Sequence, residues 1–379
     1  MFGSLRFLLA YLVILSHLVG TEYVAHFGFY AVRGFFVISG LMMTAALNEV
    51  YSFDGLRFWT NRALRLLPPY YFVCALTLIA IAIAPHQAAE YLKFWHSPPD
   101  VGDLLINLSV LPLQLPYGSI RLVPPFWSVA IEIDMYLLLY LVVSRQLSWA
   151  LIALAAGLSF QLICAYDTMN WTLTYFTAPS AVFPFAVGAV LYFLRQRDLL
   201  VASPLAAGCA FAAWMANMLA GGTVLPASYI FGWGYLLDTV CFAVVVSGLS
   251  GLSSHQVSPL AERVDRMFGE WSYFAFLVHW LAGFLVASLL LDGEWRGWTL
   301  LLAVTPVVLA ASGAFALLNR KFVEPLRSRV RGSYRRFTPP APAESGAEVL
   351  PQALLHFCRP EETAWGRKMI HHESKWRKS

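Results

Sequence analysis

Apolar residues occur along this chain in long blocks, separated by short polar stretches. About ten of these blocks approach the ~20 predominantly apolar residues that a membrane-crossing helix needs. They run Leu5–Val24, Phe27–Leu47, Pro69–Ala84, Phe126–Val143, Trp149–Tyr166, Tyr175–Leu194, Pro204–Leu219, Tyr229–Leu252, Met267–Leu290 and Trp298–Leu318. The pattern predicts an all-α fold, a polytopic membrane helical bundle of about ten transmembrane helices spread over residues 1–331. Residues 332–379 are rich in Pro, Ala and charge and read as an unstructured cytoplasmic tail. The apolar stretch after Arg6 lacks a small-residue cleavage site, so it reads as a retained first span and not as a signal peptide.

Composition agrees: 59% of the 379 residues are hydrophobic and 13% charged, where soluble domains are about 25% charged. The net charge of +4 matters less than where the arginines fall. With a cytoplasmic N-terminus, the inner connections hold Arg57, Arg62, Arg65, Arg145, Arg195, Arg197, Arg263 and Arg266, and the basic tail follows from Arg320 and Lys321. The outer ones keep only Lys93, Arg121 and Arg296. This asymmetry predicts an even number of spans with both termini cytoplasmic. The five cysteines show no Cys-x-x-Cys spacing and read as small core residues, with no metal ligation expected. The Pro-rich stretch 86–125 reads as a long outer loop in which Val101–Leu111 forms a short helix at the interface.

Polar residues inside the blocks are the candidate chemistry, because an ionisable group at membrane depth is expensive. Arg6 and His17 stand eleven positions apart, close to three helical turns, on one stripe of the first span. The rise separates them by roughly 16 Å and places His17 well inside the bilayer. A packing histidine bonded to a carbonyl is the plain alternative. Ser128, Glu132 and Tyr136 share one face of the fourth span, with Asp134 pointing nearly opposite and Trp127 placed as an interface anchor. Arg33, in the second span, comes out at a depth comparable to His17 and Glu132, so the three are expected to line one polar cavity, with Arg33 and Glu132 as a pair. Arg57, Arg62 and Arg65 are either ordinary positive-inside residues or, with Arg6, an anion site; Pro68 and Pro69 are expected to bend the chain before the third span. His279 shares a face with Ser272 and is either packing or functional, and Glu324-Pro325 reads as a helix terminator. No Walker A, G-x-G-x-x-G, H-E-x-x-H or G-x-S-x-G motif is present.

In register, these segments resemble the acyltransferase-3 family of multi-pass membrane O-acyltransferases, which includes the O-antigen O-acetylases. The resemblance is carried by Arg6-x10-His17, by FFVISG at Phe35–Gly40, and by Arg62, Arg65, Pro68, Pro69 and Tyr70. It continues through Trp127, Ser128, Glu132 and Tyr136, then Ser272, Tyr273 and His279, and closes at Glu324-Pro325-Leu326-Arg327. Ile133 stands where the family often has a second acid. The resemblance implies a transmembrane acyltransferase domain at 1–331 in a bacterial inner membrane. Its reaction would move an acyl group, acetyl by default, from acyl-CoA to a hydroxyl of a cell-envelope or exported carbohydrate, a polysaccharide O-acetylation. Acyl-CoA is then a co-substrate, not a bound cofactor. The expected roles are His17 and Glu132 catalytic; Arg6, Arg57, Arg62 and Arg65 on acyl-CoA; and Arg33, Trp127, Ser128, Asp134, Tyr136 and His279 on the acceptor, a carbohydrate or lipid-linked saccharide. A transporter or flippase for a polar envelope precursor is the competing reading, since intramembrane charges suit it too.

Overall fold

A computed structural model describes residues 2–331, apart from short stretches at 115–120, 167–170, 200–201, 222–223, 226–228 and 252–257. The tail at 332–379, with His371 and His372, lies outside the described residues. All ten apolar blocks are helices. They are α1 (Phe2–Val19), α2 (Glu22–Ala45), α3 (Gly55–Ile83), α6 (Trp127–Leu141), α7 (Leu147–Tyr166), α9 (Ala178–Arg195), α10 (Pro204–Ala220), α11 (Tyr235–Ser250), α12 (Pro259–Leu290) and α13 (Trp298–Leu318). Shorter helices fill the connections: α4 (Pro85–Tyr91), α5 (Val101–Ser109), α8 (Trp171–Tyr175) and a terminal α14 (Glu324–Arg331). Eight helical segments are long and apolar enough to cross a membrane. The other two, α6 and α10, have 15 and 17 residues.

Helix α2 is the axis of the bundle. It packs on α1 and α9; α1 packs in turn on α12, α12 on α13, and α7 on α9, while α10 and α11 pair with each other beside α2. The apolar windows of α2 and α12 are 72% buried and that of α7 only 17%, which separates central helices from peripheral ones. Small residues make the central crossing close. A Cβ on Gly40 would come 2.2 Å from the Phe185 carbonyl oxygen, and one on Gly188 2.2 Å from that of Val37. Backbones meeting at such distances gain dispersion contacts that replace a hydrophobic driving force, which lipid does not supply.

Three expectations change here. Pro68 and Pro69 lie inside α3 and do not precede it, so Arg57, Arg62 and Arg65 sit on the first turns of that same helix. Glu324-Pro325 opens α14 and terminates nothing; proline is tolerated in a first turn, where its missing N–H has no partner to lose. Trp127 is buried, with its ring 4.8 Å from Tyr175 and 4.5 Å from Phe176, and is not an interface anchor. Helix α5 forms where expected, but it is docked to the bundle. The Tyr70 hydroxyl, midway along α3, donates to the Asn107 carbonyl at 3.0 Å, and Asn107 Oδ1 accepts from the Leu122 amide at 3.0 Å. Its large exposed side chains are Val101, Leu105 and Leu108 while Asp103 and Asn107 are buried. That is the reverse of a soluble amphipathic helix.

Candidate active site

The α1 stripe carries Arg6 and His17 into two adjoining cavities. The first, of about 50 Å³, is lined by Arg6, Ser39, Ser128, Glu132, Ser272 and Tyr273, with Val32, Phe35, Phe36, Val129 and Phe276. The second, of about 160 Å³, is lined by His17, Ser16, Trp127, Ser128, Tyr175 and Phe29, again with Val32 and Phe276. Val32, Ser128 and Phe276 therefore form the wall common to both.

Glu132 is the polar centre of the first cavity. Its Oε1 accepts from Ser39 Oγ and from Tyr136 Oη, both at 2.5 Å. Tyr136 is one turn further along α6, so the shared face expected from the spacing is realised as a carboxylate held by its own helix neighbour. Arg6, Arg62 and Arg65 lie within electrostatic reach of one another, and Arg6 and Arg65 within reach of Glu132. Arg62 donates to Met43 Sδ at 3.2 Å and to Asn61 Oδ1 at 3.1 Å. Asn61 also donates to the Arg327 carbonyl at 3.3 Å, and Arg327 holds Glu324 at 2.7 Å. Arg331 bonds the other oxygen of Glu324. The α14 helix thus closes the basic cluster from its outer side. One end of the bundle carries more cationic groups than it has carboxylates to match them, which is the condition for holding a polyanion.

His17 has a different partner set. Its Nδ1 lies 3.0 Å from His279 Nε2, with the two ring planes 9° apart, and His279 Nδ1 lies 2.8 Å from the Phe276 carbonyl oxygen. The Trp280 ring is 5.2 Å from that of His17, and the Arg296 guanidinium covers Trp280 at 4.9 Å and Tyr91 at 4.7 Å. Arg296 is fixed there by bonds to the Trp295 and Tyr91 carbonyls.

Several expected site residues fall elsewhere. Arg33 does not meet Glu132. Its Nη2 donates to Gln161 Oε1 at 3.1 Å, its guanidinium lies 4.3 Å from the Tyr235 ring centroid, and it lines neither cavity. The single cavity shared by His17, Arg33 and Glu132 is therefore replaced by two adjoining ones that leave Arg33 out. Asp134 accepts from Gln114 at 2.7 Å, away from both cavities, as its position opposite Glu132 requires. Arg57 is exposed and paired with Asp54 at 3.2 Å, apart from the basic cluster. Tyr136 and His279 line neither cavity and act on Glu132 and His17. Glu132 makes no contact with His17, so it does not orient that ring. Ser39 and Tyr273 enter the site without having been singled out for it, although both lie in the quoted motifs FFVISG and Ser272-Tyr273. Arg327, from the closing motif, likewise joins the basic cluster.

Residues 3–317 match the acyltransferase domain that defines the acyltransferase-3 family. The chain belongs to that family. It is a multi-pass membrane acyltransferase by fold and by family. No curated protein and no solved structure matches the chain.

Proposed function

We propose that this acyltransferase moves an acetyl group from acetyl-CoA, entering from the cytoplasmic side, to a hydroxyl of an envelope or exported carbohydrate. The observation that carries the reading is the pair of adjoining cavities. One holds Arg6 and Glu132 beside the arginine cluster, and the other holds His17. Coenzyme A is a polyanion with a long thin arm. Its phosphates suit Arg6, Arg62 and Arg65, and the arm then runs along the α1 stripe toward His17, roughly 16 Å away.

His17 takes the proton of the acceptor hydroxyl as that oxygen attacks the thioester carbonyl, or accepts the acyl group itself before passing it on. By either route the C–S bond breaks, an ester C–O bond forms, and the proton lost by the hydroxyl leaves with the coenzyme A thiol. Glu132, held by Ser39 and Tyr136, acts as a positioning group for Arg6, which lines the same cavity, and for the nearby Arg65. The aromatic lining of the larger cavity, Trp127, Tyr175, Phe29 and Phe276, suits the apolar face of a sugar ring.

Washed membranes carrying the protein, incubated with labelled acetyl-CoA, are expected to place label in saccharide or saccharide-lipid. His17→Ala is expected to lower that transfer by about 10² to 10⁴ with the protein still inserted. Retained transfer in that variant removes His17 from the chemistry. Movement of an unmodified substrate in place of labelling supports a transporter.

A further inference from the structure

We infer that His279 is a positioning residue that fixes the tautomer of His17, leaving His17 Nε2 as the one basic atom offered to substrate. The inference rests on the reading of His17 above and extends it to a residue that lines neither cavity.

The argument follows the protons. The Phe276 carbonyl can only accept, so His279 Nδ1, 2.8 Å away, carries a hydrogen. A neutral imidazole has one N–H, so His279 Nε2 is then a bare lone pair. That lone pair lies 3.0 Å from His17 Nδ1, and a hydrogen bond between them requires His17 Nδ1 to donate. His17 Nε2 is left unprotonated. Among the described residues it has no protein partner, on a side chain that lines the larger cavity. Which ring nitrogen of a histidine is basic is set by the bond the other makes, and here the bond is set two steps away by a helix carbonyl.

The pair is protected from alternatives. His279 is fully buried on α12, and its fixed partner is a backbone atom one turn back on the same helix. The neighbours of the two rings are Trp280 and Phe276, and the nearest charge is Arg296, held behind Trp280. No carboxylate bonds either ring among the described residues. The arrangement is therefore a relay of neutral rings, unlike a base oriented by a carboxylate.

Substitutions at 279 separate this role from packing. Glutamine places its Oε1 near the position of the ring's far nitrogen and can still accept from His17 Nδ1. Asparagine is too short to reach, and leucine fills space without accepting. With labelled acetyl-CoA as probe, His279→Gln is expected to keep kcat within about ten-fold, while His279→Asn and His279→Leu lose about 10² or more. KM for acetyl-CoA should stay unchanged in all three. Equal activity in the three folded variants, high or low, overturns the inference, because packing alone would then account for His279. Nitrogen-15 NMR of the histidine-labelled wild-type protein gives a second reading. His17 Nδ1 should give the protonated signal and Nε2 the unprotonated one; the opposite tautomer overturns the inference whatever the variants do. An active His17→Ala defeats the functional reading itself, whereas an inactive His17→Ala beside insensitive His279 variants defeats only the tautomer role.

Discussion

At the scale of single residues, the site is a set of polar side chains whose partners stand far away in the chain. Glu132 shows what such partners do. A carboxylate inside a bilayer protein needs donors, and it has two hydroxyls at 2.5 Å, one from α2 and one from its own helix. A hydrogen bond to a charged group contributes about 1.5–3 kcal/mol. Tyr136→Phe is therefore expected to weaken binding of coenzyme A by about ten-fold or somewhat more, through a carboxylate that no longer holds Arg6 and Arg65 in place. Ser39→Ala should do the same. The double variant should match Glu132→Gln and fall short of the product of the two single effects, because all three act on one group. Titration of coenzyme A into purified protein measures this, and unchanged affinity in Tyr136→Phe would detach Glu132 from the basic cluster. Glu132 lines the cavity of Arg6 and not that of His17, which spacing alone does not show; the common stripe of Arg6 and His17 was legible in the sequence, because helical periodicity converts spacing into position. Their partners were not. Arg33 meets Gln161, 128 residues on, and His17 meets His279, 262 residues on, and both pairings depend on which helices lie side by side.

At the scale of elements, all ten helices could be read from apolar length, but the way they cross could not. The α2–α9 crossing depends on glycines that carry no hydropathy signal. Gly40 and Gly188 allow two backbones to approach to a distance that a single methyl group would block. The atoms such a methyl would meet are backbone atoms, which cannot swing aside as a flexible side chain would. Gly188→Ala is expected to destabilise the bundle by about 1–3 kcal/mol through overpacking, lowering the midpoint of thermal unfolding in detergent. Gly208→Ala serves as the control, since nothing lies within 4 Å of a Cβ there. A midpoint that falls equally in both would show that the crossing is not the tight point it is taken to be. Pro68 and Pro69 were misread for a related reason. Proline breaks an isolated helix, yet in a membrane bundle neighbouring side chains supply the missing bonds. Here the carbonyls that lose their helix partner to the two prolines are those of Leu64 and Arg65, and the Tyr273 hydroxyl of α12 donates to the adjacent Leu66 carbonyl at 2.7 Å, holding the proline turn against the bundle.

At the scale of the whole molecule, the number of membrane crossings turns on α6, a helix of 15 residues. Helix α6 is about 22 Å long, against a hydrocarbon core of about 30 Å. Its two ends are nonetheless anchored at different levels. Beyond its C-terminal end, Ser144 bonds Thr44 at 2.8 Å and Asn48 at 3.0 Å, and the Arg145 guanidinium covers the Phe53 ring at 4.0 Å, all beside the turn between α2 and α3. Just before its N-terminal end, Phe126 stacks on Tyr70 at 3.7 Å, midway along α3. Before that end lie α5 and residues 121–126, whose backbone is tied to Tyr70, Asn107 and Trp95. Irregular backbone at membrane depth is tolerated where protein covers it, and the outward Val101, Leu105 and Leu108 give α5 an apolar face toward lipid. If α6 crosses in this way, Arg145 emerges on the same side as Arg57 and opposite Lys93. Single cysteines at positions 57, 93 and 145, in a chain freed of its own cysteines, test it with a membrane-impermeant thiol reagent on intact cells. Lys93→Cys should label from outside, and Arg57→Cys and Arg145→Cys only after permeabilisation. Labelling of Arg145→Cys from outside would mean that α6 turns back within the membrane. It would then reverse the side assigned to every later connection, and the two termini could no longer share the cytoplasm.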